Sequence, residues 1–165
     1  GNMPLIEPQE WKETHKIEEF VIVIDTSMSC SGDLVRKFLE ETYHILAETE
    51  SFFRKVHIRI LQCDDAVRAD QLITTGEELK QYMDHLQLYG DGGTDFRPAF
   101  TYVQQLIDQG EFKNLKGLLY FTDGKGTFPR KRPPYDAAFI LFREDYKEVS
   151  VPPWAIRLML DEEDL

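Results

Sequence analysis

The sequence has little that would anchor it in a membrane, staple it with disulfides or fasten it to a nucleic acid. No apolar run among its 165 residues is long enough to cross a bilayer, and no signal-peptide pattern opens the chain. Two cysteines are too few for a disulfide framework, so a reducing cytoplasm is the simplest compartment. Basic residues number 19 against 30 acidic ones, and the net charge of -11 argues against a phosphate backbone as main partner. The four histidines, His15, His44, His57 and His85, include no His-Glu-x-x-His pair, which excludes a zinc-peptidase helix. No internal repeat is visible.

What is present is the composition of one globular domain: 42% hydrophobic and 12% aromatic residues in a length that buries a real core. Gly1-Asn2 before Met3 reads as a tag-cleavage remnant. Residues 1–16, with Trp11 and two prolines, read as a leading segment, residues 17–160 as the domain, and residues 161–165 as a frayed acidic tail.

Within the domain, strands and helices alternate. Residues 20–24 (Phe-Val-Ile-Val-Ile) predict a strand buried on both faces. Residues 33–48 place Val35, Phe38, Leu39, Thr42, Tyr43 and Leu46 on one helical face. Residues 56–62 alternate as a strand, Asp64-Asp65 supplies a turn, and residues 67–73 return as an edge strand. Thr75-Gly76-Glu77-Glu78 is a capping box before a helix that buries Leu79, Tyr82, Met83 and Leu86. A further helix tolerates Pro98 in its first turn, buries Ala99, Phe100, Val103, Leu106 and Ile107, and stops at Gly110. Residues 117–122 and 137–142 predict two more core strands. Trp154, Ile156, Leu158 and Leu160 alternate along a last one. The fold class is α/β: a doubly wound, mostly parallel sheet with one antiparallel edge strand.

In such a sheet the loops at the carboxyl ends of the strands bind ligands, and three polar loops belong there. They are Asp25-Thr26-Ser27-Met28-Ser29, Gly92-Gly93-Thr94-Asp95 and Thr122-Asp123-Gly124. Aspartate and hydroxyl oxygens are hard donors, suited to magnesium, manganese or calcium rather than zinc. Taken alone, Asp25, Ser27 and Ser29 equally suit an Asx turn with a helix N-cap. Asp95 suits a cap on the following helix, Asp91 a solvated loop, and Asp64 and Asp65 a hairpin turn with Asp64 near the mouth. Cys30 and Cys63 read as unpaired thiols. Gly90-x-Gly92-Gly93 follows a helix, and Gly124-Lys125-Gly126 lacks the Gly-Lys-Ser/Thr ending, so neither is a phosphate loop.

The first loop resembles the Asp-x-Ser-x-Ser signature of von Willebrand factor A-like (VWA-like) domains. The metal-ion-dependent adhesion site of that family takes further ligands from a distant Thr and Asp. Thr94 and Asp123 stand in the order and the loops for those roles. The resemblance spans residues 17–160 and implies the ligand set Asp25, Ser27, Ser29, Thr94 and Asp123 around Mg2+, with Mn2+ or Ca2+ as substitutes.

More narrowly, Gly92-Gly93-Thr94-Asp95-Phe96-Arg97-Pro98 and Tyr120-Phe121-Thr122-Asp123-Gly124-Lys125-Gly126 are similar to a bacterial VWA-like subfamily. Its longer members often carry a metallopeptidase label, from a zinc-peptidase-like region preceding this domain. Relatives are commonly encoded near AAA+ ATPases.

These readings imply a non-enzymatic, metal-dependent protein-interaction module. An acidic segment of a partner, with an AAA+ ATPase as the partner class, would complete the coordination. Lys125, Arg130, Lys131 and Arg132 follow Asp123 and suggest a basic rim that steers that segment. The competing reading is a metal-dependent hydrolase, of the haloacid-dehalogenase phosphatase type, or the non-catalytic C-terminal part of a metallopeptidase. Phosphatase chemistry of that type needs a second acid two residues after Asp25, where this chain has Ser27. A relic domain with structural duties in a longer protein is the third reading.

Overall fold

The structure, a computed structural model, describes residues 18–27, 32–48, 55–142 and 150–159. Ser29, Cys30, Leu160, the leading segment and the acidic tail therefore lie outside the described residues. In chain order the elements are β1 (Glu19–Asp25), α1 (Gly32–Ala47), β2 (His57–Cys63), β3 (Val67–Ile73), α2 (Gly76–Asp84), α3 (Arg97–Asp108), β4 (Leu115–Thr122), β5 (Asp136–Leu141) and β6 (Ile156–Met159).

The strands form one sheet in the order β3-β2-β1-β4-β5-β6. All neighbours run parallel except β2 and β3, which pair antiparallel. The doubly wound class and its antiparallel edge strand are thus as the sequence predicts.

The two-residue period of the strands divides the core into two layers. Ile22, Ile24, Ile58, Ile60, Phe121 and Ile140 face α1 and α2, meeting Val35, Phe38, Leu39, Leu79 and Met83. Val21, Val23, Leu61, Leu118, Tyr120 and Phe139 face the other way, onto Phe96, Ala99, Phe100 and Val103 of α3 and the turn before it. Each helix is held by its three- and four-residue apolar stripe, so its packing rather than its intrinsic propensity stabilises it.

Thr75 caps α2, its hydroxyl accepting the Glu78 N–H at 3.1 Å. The Glu78 carboxylate reaches back to the Thr74 N–H at 3.3 Å and the Thr74 hydroxyl at 2.8 Å. The reciprocal half of the capping box is therefore shifted one residue upstream of the cap.

The last strand departs from its pattern. Alternation predicts one buried face, yet all four residues of β6 are exposed. Among the described residues nothing covers its outer edge, and Leu158 and Met159 border an apolar groove of about 450 Å³ beside α1. Trp154 precedes β6 and packs edge-on against Phe100 at 5.7 Å. No helix among the described residues is long and apolar enough to cross a membrane.

Candidate metal centre

β1 and β4 are neighbours at the centre of the sheet, but their successors lie on opposite sides: β2 beside β1, and β5 beside β4. Loops leaving such a pair diverge and open a crevice at the carboxyl edge. Asp25 ends β1. Because Ile24 pairs with Phe121, Thr122 and Asp123 arrive beside it.

Asp25 is wholly buried, and both of its oxygens are engaged. Oδ1 accepts the Ser27 N–H at 2.9 Å, and Oδ2 accepts the Thr122 hydroxyl at 2.6 Å. The Ser27 side chain adds a further hydrogen bond to Asp25. Thr122 Oγ1 in turn accepts the Gly124 N–H at 3.0 Å. Asp123 is almost fully buried, and its Oδ1 accepts the Lys125 N–H at 2.9 Å.

Burial pushes the Asp25 carboxyl above its ordinary value. The hydrogen bonds from Ser27 and Thr122 oppose the shift, and the nearby Asp123 charge adds to it. A buried carboxylate with a like charge beside it is costly without a cation.

The Thr94 loop is brought to the same edge from two sides. On one, Asp64 at the end of β2 holds it: Oδ2 accepts the Gly92 N–H at 3.1 Å, and the Asp64 carbonyl accepts the Asp95 N–H at 3.2 Å. On the other, Asp95 bridges to Thr127, and the Phe96 N–H donates to the Thr127 carbonyl at 3.0 Å. A Cβ on Gly126 would lie 2.9 Å from the Thr94 methyl and 3.0 Å from the Phe96 ring. Glycine at position 126 is what lets the Thr94 and Asp123 loops come this close. The first loop joins the same frame, since the Thr26 N–H donates to the Cys63 carbonyl at 2.9 Å.

Asp25, Ser27 and Asp123 therefore lie together, and the half-buried Thr94 is tied to the same rim through its neighbours. Ser29 is outside the described residues. The donor set fits a hard divalent cation: two carboxylates, one of them deeply buried, and neutral hydroxyls. Among the described residues no group of three or more His, Cys, Asp or Glu could hold a metal, so a soft-metal site built from those side chains is not found there.

The other candidates separate. Asp95 accepts the Arg97 N–H at 3.0 Å and pairs with its guanidinium at 2.8 Å, serving the first turn of α3. Asp91 is exposed, with φ of 115°. Burial drives the Cys63 thiol up to about 12, so this cysteine is an inert core residue.

The basic cluster splits as well. Lys125 stays by the mouth. Lys131 and Arg132 line a groove of about 640 Å³ together with Phe100 and Gln104 of α3 and with Tyr135. The reason is topological. β5 runs parallel to β4, so the chain must travel the length of the sheet before β5 begins, and it carries these residues along α3.

Sequence reasoning assigned no role to Thr122 or Phe96. A hydroxyl just before the Asp-Gly turn was the available signal for Thr122. For Phe96 there was none, because a loop residue has no periodicity to betray its burial.

The profile of the VWA-like domain family (DUF2201) matches residues 20–161. The chain belongs to this family. No curated protein matches it.

Among solved structures, the VWA domain of SpRpn10 is similar to this VWA-like chain at TM-score 0.55 and 12% identity, covering 88% of each. An aerotolerance-related membrane protein from Bacteroides fragilis aligns at TM-score 0.58 and 11% identity, over 89% of this chain and 93% of that one. Proximal thread matrix protein 1 from the mussel byssus, solved with a zinc-occupied MIDAS motif, aligns at TM-score 0.57 and 14% identity. There the alignment covers 88% of this chain but 44% of the mussel protein, so the chain spans under half of that relative. At these identities the likeness carries the fold.

Proposed function

We propose that this VWA-like domain is a protein-interaction module that works through a divalent cation, magnesium in the cell, held by Asp25, Ser27, Ser29, Thr94 and Asp123. The observation that carries it is Asp25 itself. A carboxylate is buried at the switch point of the sheet beside a second one, with hydroxyl donors around them. Asp25 and Asp123 supply charge, and Ser27, Ser29 and Thr94 supply neutral oxygens. When bound there, the cation offers an electron-poor position that a carboxylate from another protein can fill. The mussel relative, described with zinc in its MIDAS motif, supports a metal-dependent reading of the fold.

The partner is an acidic segment, and an AAA+ ATPase is the partner class that the family resemblance singles out. Lys125, two residues from Asp123, would attract that segment at the mouth. Lys131 and Arg132 would meet it only if it continued down the flank of α3. The domain by itself is non-catalytic in this reading. The position where the phosphatase reaction needs its second acid holds Ser27, which is hydrogen-bonded to Asp25.

The test is capture of partners from a bacterial lysate with and without chelator. Wild type should retain a partner only when divalent ions are present, and Asp25→Ala should retain none under either condition. Partner retention that is indifferent to chelator would refute the proposal.

A further inference from the structure

We propose that Asp64, at the end of β2, is the positioning residue that sets Thr94 in place for the cation. This rests on the metal-dependent reading above. Asp64 is 2% exposed, yet it carries five hydrogen bonds that join two different loops. Oδ1 accepts from Arg68 Nε at 2.7 Å and from the Ala66 N–H at 3.1 Å, which fixes the β2–β3 turn. The Asp64 N–H donates to the Ala66 carbonyl at 3.1 Å in the same turn.

The other oxygen and the carbonyl are spent on the Thr94 loop. Oδ2 takes the Gly92 N–H and the main-chain oxygen takes the Asp95 N–H, at 3.1 and 3.2 Å. The two bonds flank Thr94 on either side. A Cβ on Gly92 would lie 2.9 Å from Oδ2, so the loop sits as close to Asp64 as glycine permits. The residue before Asp64, Cys63, holds the Thr26 N–H of the first metal loop. The end of β2 is therefore a template that registers two ligand loops against each other, although it contributes no ligand itself.

The carboxylate is required because it accepts on both oxygens. An asparagine has one acceptor oxygen and one NH2 group. The Arg68 guanidinium holds the oxygen on the Oδ1 side, so the NH2 faces the Gly92 N–H, donor against donor. Asp64→Asn thus keeps the turn and the main-chain bond to Asp95, and loosens the Thr94 loop at Gly92. Gly92→Ala pushes the same loop off the Asp64 carboxylate from the other side, its Cβ 2.9 Å from Oδ2, and leaves the residue at position 64 unchanged.

The experiment is a manganese titration by calorimetry on the full chain. It compares wild type, Asp64→Asn, Gly92→Ala, Thr94→Ala and the pair Asp64→Asn with Thr94→Ala. Groups that orient metal ligands typically change affinity about 10- to 100-fold, so Asp64→Asn and Gly92→Ala should each weaken binding by about tenfold. The pair should bind no more weakly than Thr94→Ala alone, because Asp64 acts through Thr94. In chelator, amide exchange at Gly92 should quicken in Asp64→Asn.

If wild type binds manganese and Asp64→Asn binds it equally well, the positioning role is overturned while the metal site stands. A loss that multiplies on top of Thr94→Ala overturns it too, since that pattern marks general destabilisation. Should Asp64→Asn not fold, Gly92→Ala decides by the same criteria. Absence of manganese binding by folded wild type removes both claims.

Discussion

Phe96 is the side chain by which the core grips the Thr94 loop, and replacing it gives a magnitude that the structure allows us to work out. It is wholly buried. Its ring meets Tyr120 at 5.0 Å edge-on, Phe128 at 4.7 Å and Phe139 at 5.5 Å. Such pairs contribute about 0.5–1.5 kcal/mol each beyond their buried area. Phe96→Leu keeps most of the apolar area but loses three ring contacts, so the expected loss is roughly 2–4 kcal/mol. For a domain of this size that lowers Tm by about 4–16 °C, at roughly 2–4 °C per kcal/mol. Phe96→Ala should cost about 3–5 kcal/mol, because a cavity is added. The assay is urea unfolding followed by circular dichroism, in chelator so that metal does not contribute. A loss under about 0.5 kcal/mol for Phe96→Leu, the size of an ordinary surface change, would refute the claim that this ring anchors the loop.

Gly126→Ala should weaken magnesium binding about tenfold, since the added methyl would lie 2.9 Å from the Thr94 methyl; equal affinity, measured by calorimetry, would contradict the close approach. Cys63 should resist alkylation in the folded protein and react fully in denaturant, because burial holds its thiol near 12; peptide mapping after iodoacetamide reads this out, and rapid native labelling would contradict it. Asp25 has the opposite pH consequence from an ordinary ion-paired carboxylate. Its folded value is raised above 3.8, so without metal the native state holds the proton more tightly than the unfolded chain. Stability is then lost as pH rises from 3.8 through the folded value. Asp25→Asn should gain on wild type across that window in chelator; a difference in unfolding free energy that is constant with pH would refute this. For Asp64 the sign reverses. Burial alone would raise it, but the hydrogen bonds from Arg68, Ala66 and Gly92 outweigh burial and lower it. Its stabilisation is present above 3.8 and is lost as pH falls through the folded value.

Much of this was legible in the sequence because it follows from periodicity and turn chemistry. The stripe Val35, Phe38 and Leu39 announces α1, and the apolar run 20–24 announces a strand with both faces covered. The cap at Thr75 is visible from residue types, as is the arrival of three polar loops at one edge of a parallel sheet. The rest depended on contacts that have no local signature. Asp64 looks like any turn residue until its Oδ2 is seen on Gly92, 28 positions away. Phe96 lies between two exposed-type residues, and only tertiary packing reveals it as core. Lys131 and Arg132 look adjacent to the mouth because they closely follow Asp123. Whether a loop stays at the edge or runs along a helix is set by where the next strand starts, which the local sequence does not state. The exposed face of β6 misled for a related reason: alternation records which residues are apolar, not whether an element lies against them.

The most direct measurement of the central claim is a calorimetric titration of the folded domain with magnesium, wild type beside Asp25→Ala. Wild type should bind one ion, and at about a hundredfold excess over its Kd the ion should add roughly 2.7 kcal/mol to stability. Asp25→Ala should remain folded and bind none. A folded wild-type domain that gives no heat and no stabilisation with magnesium or manganese would contradict the account.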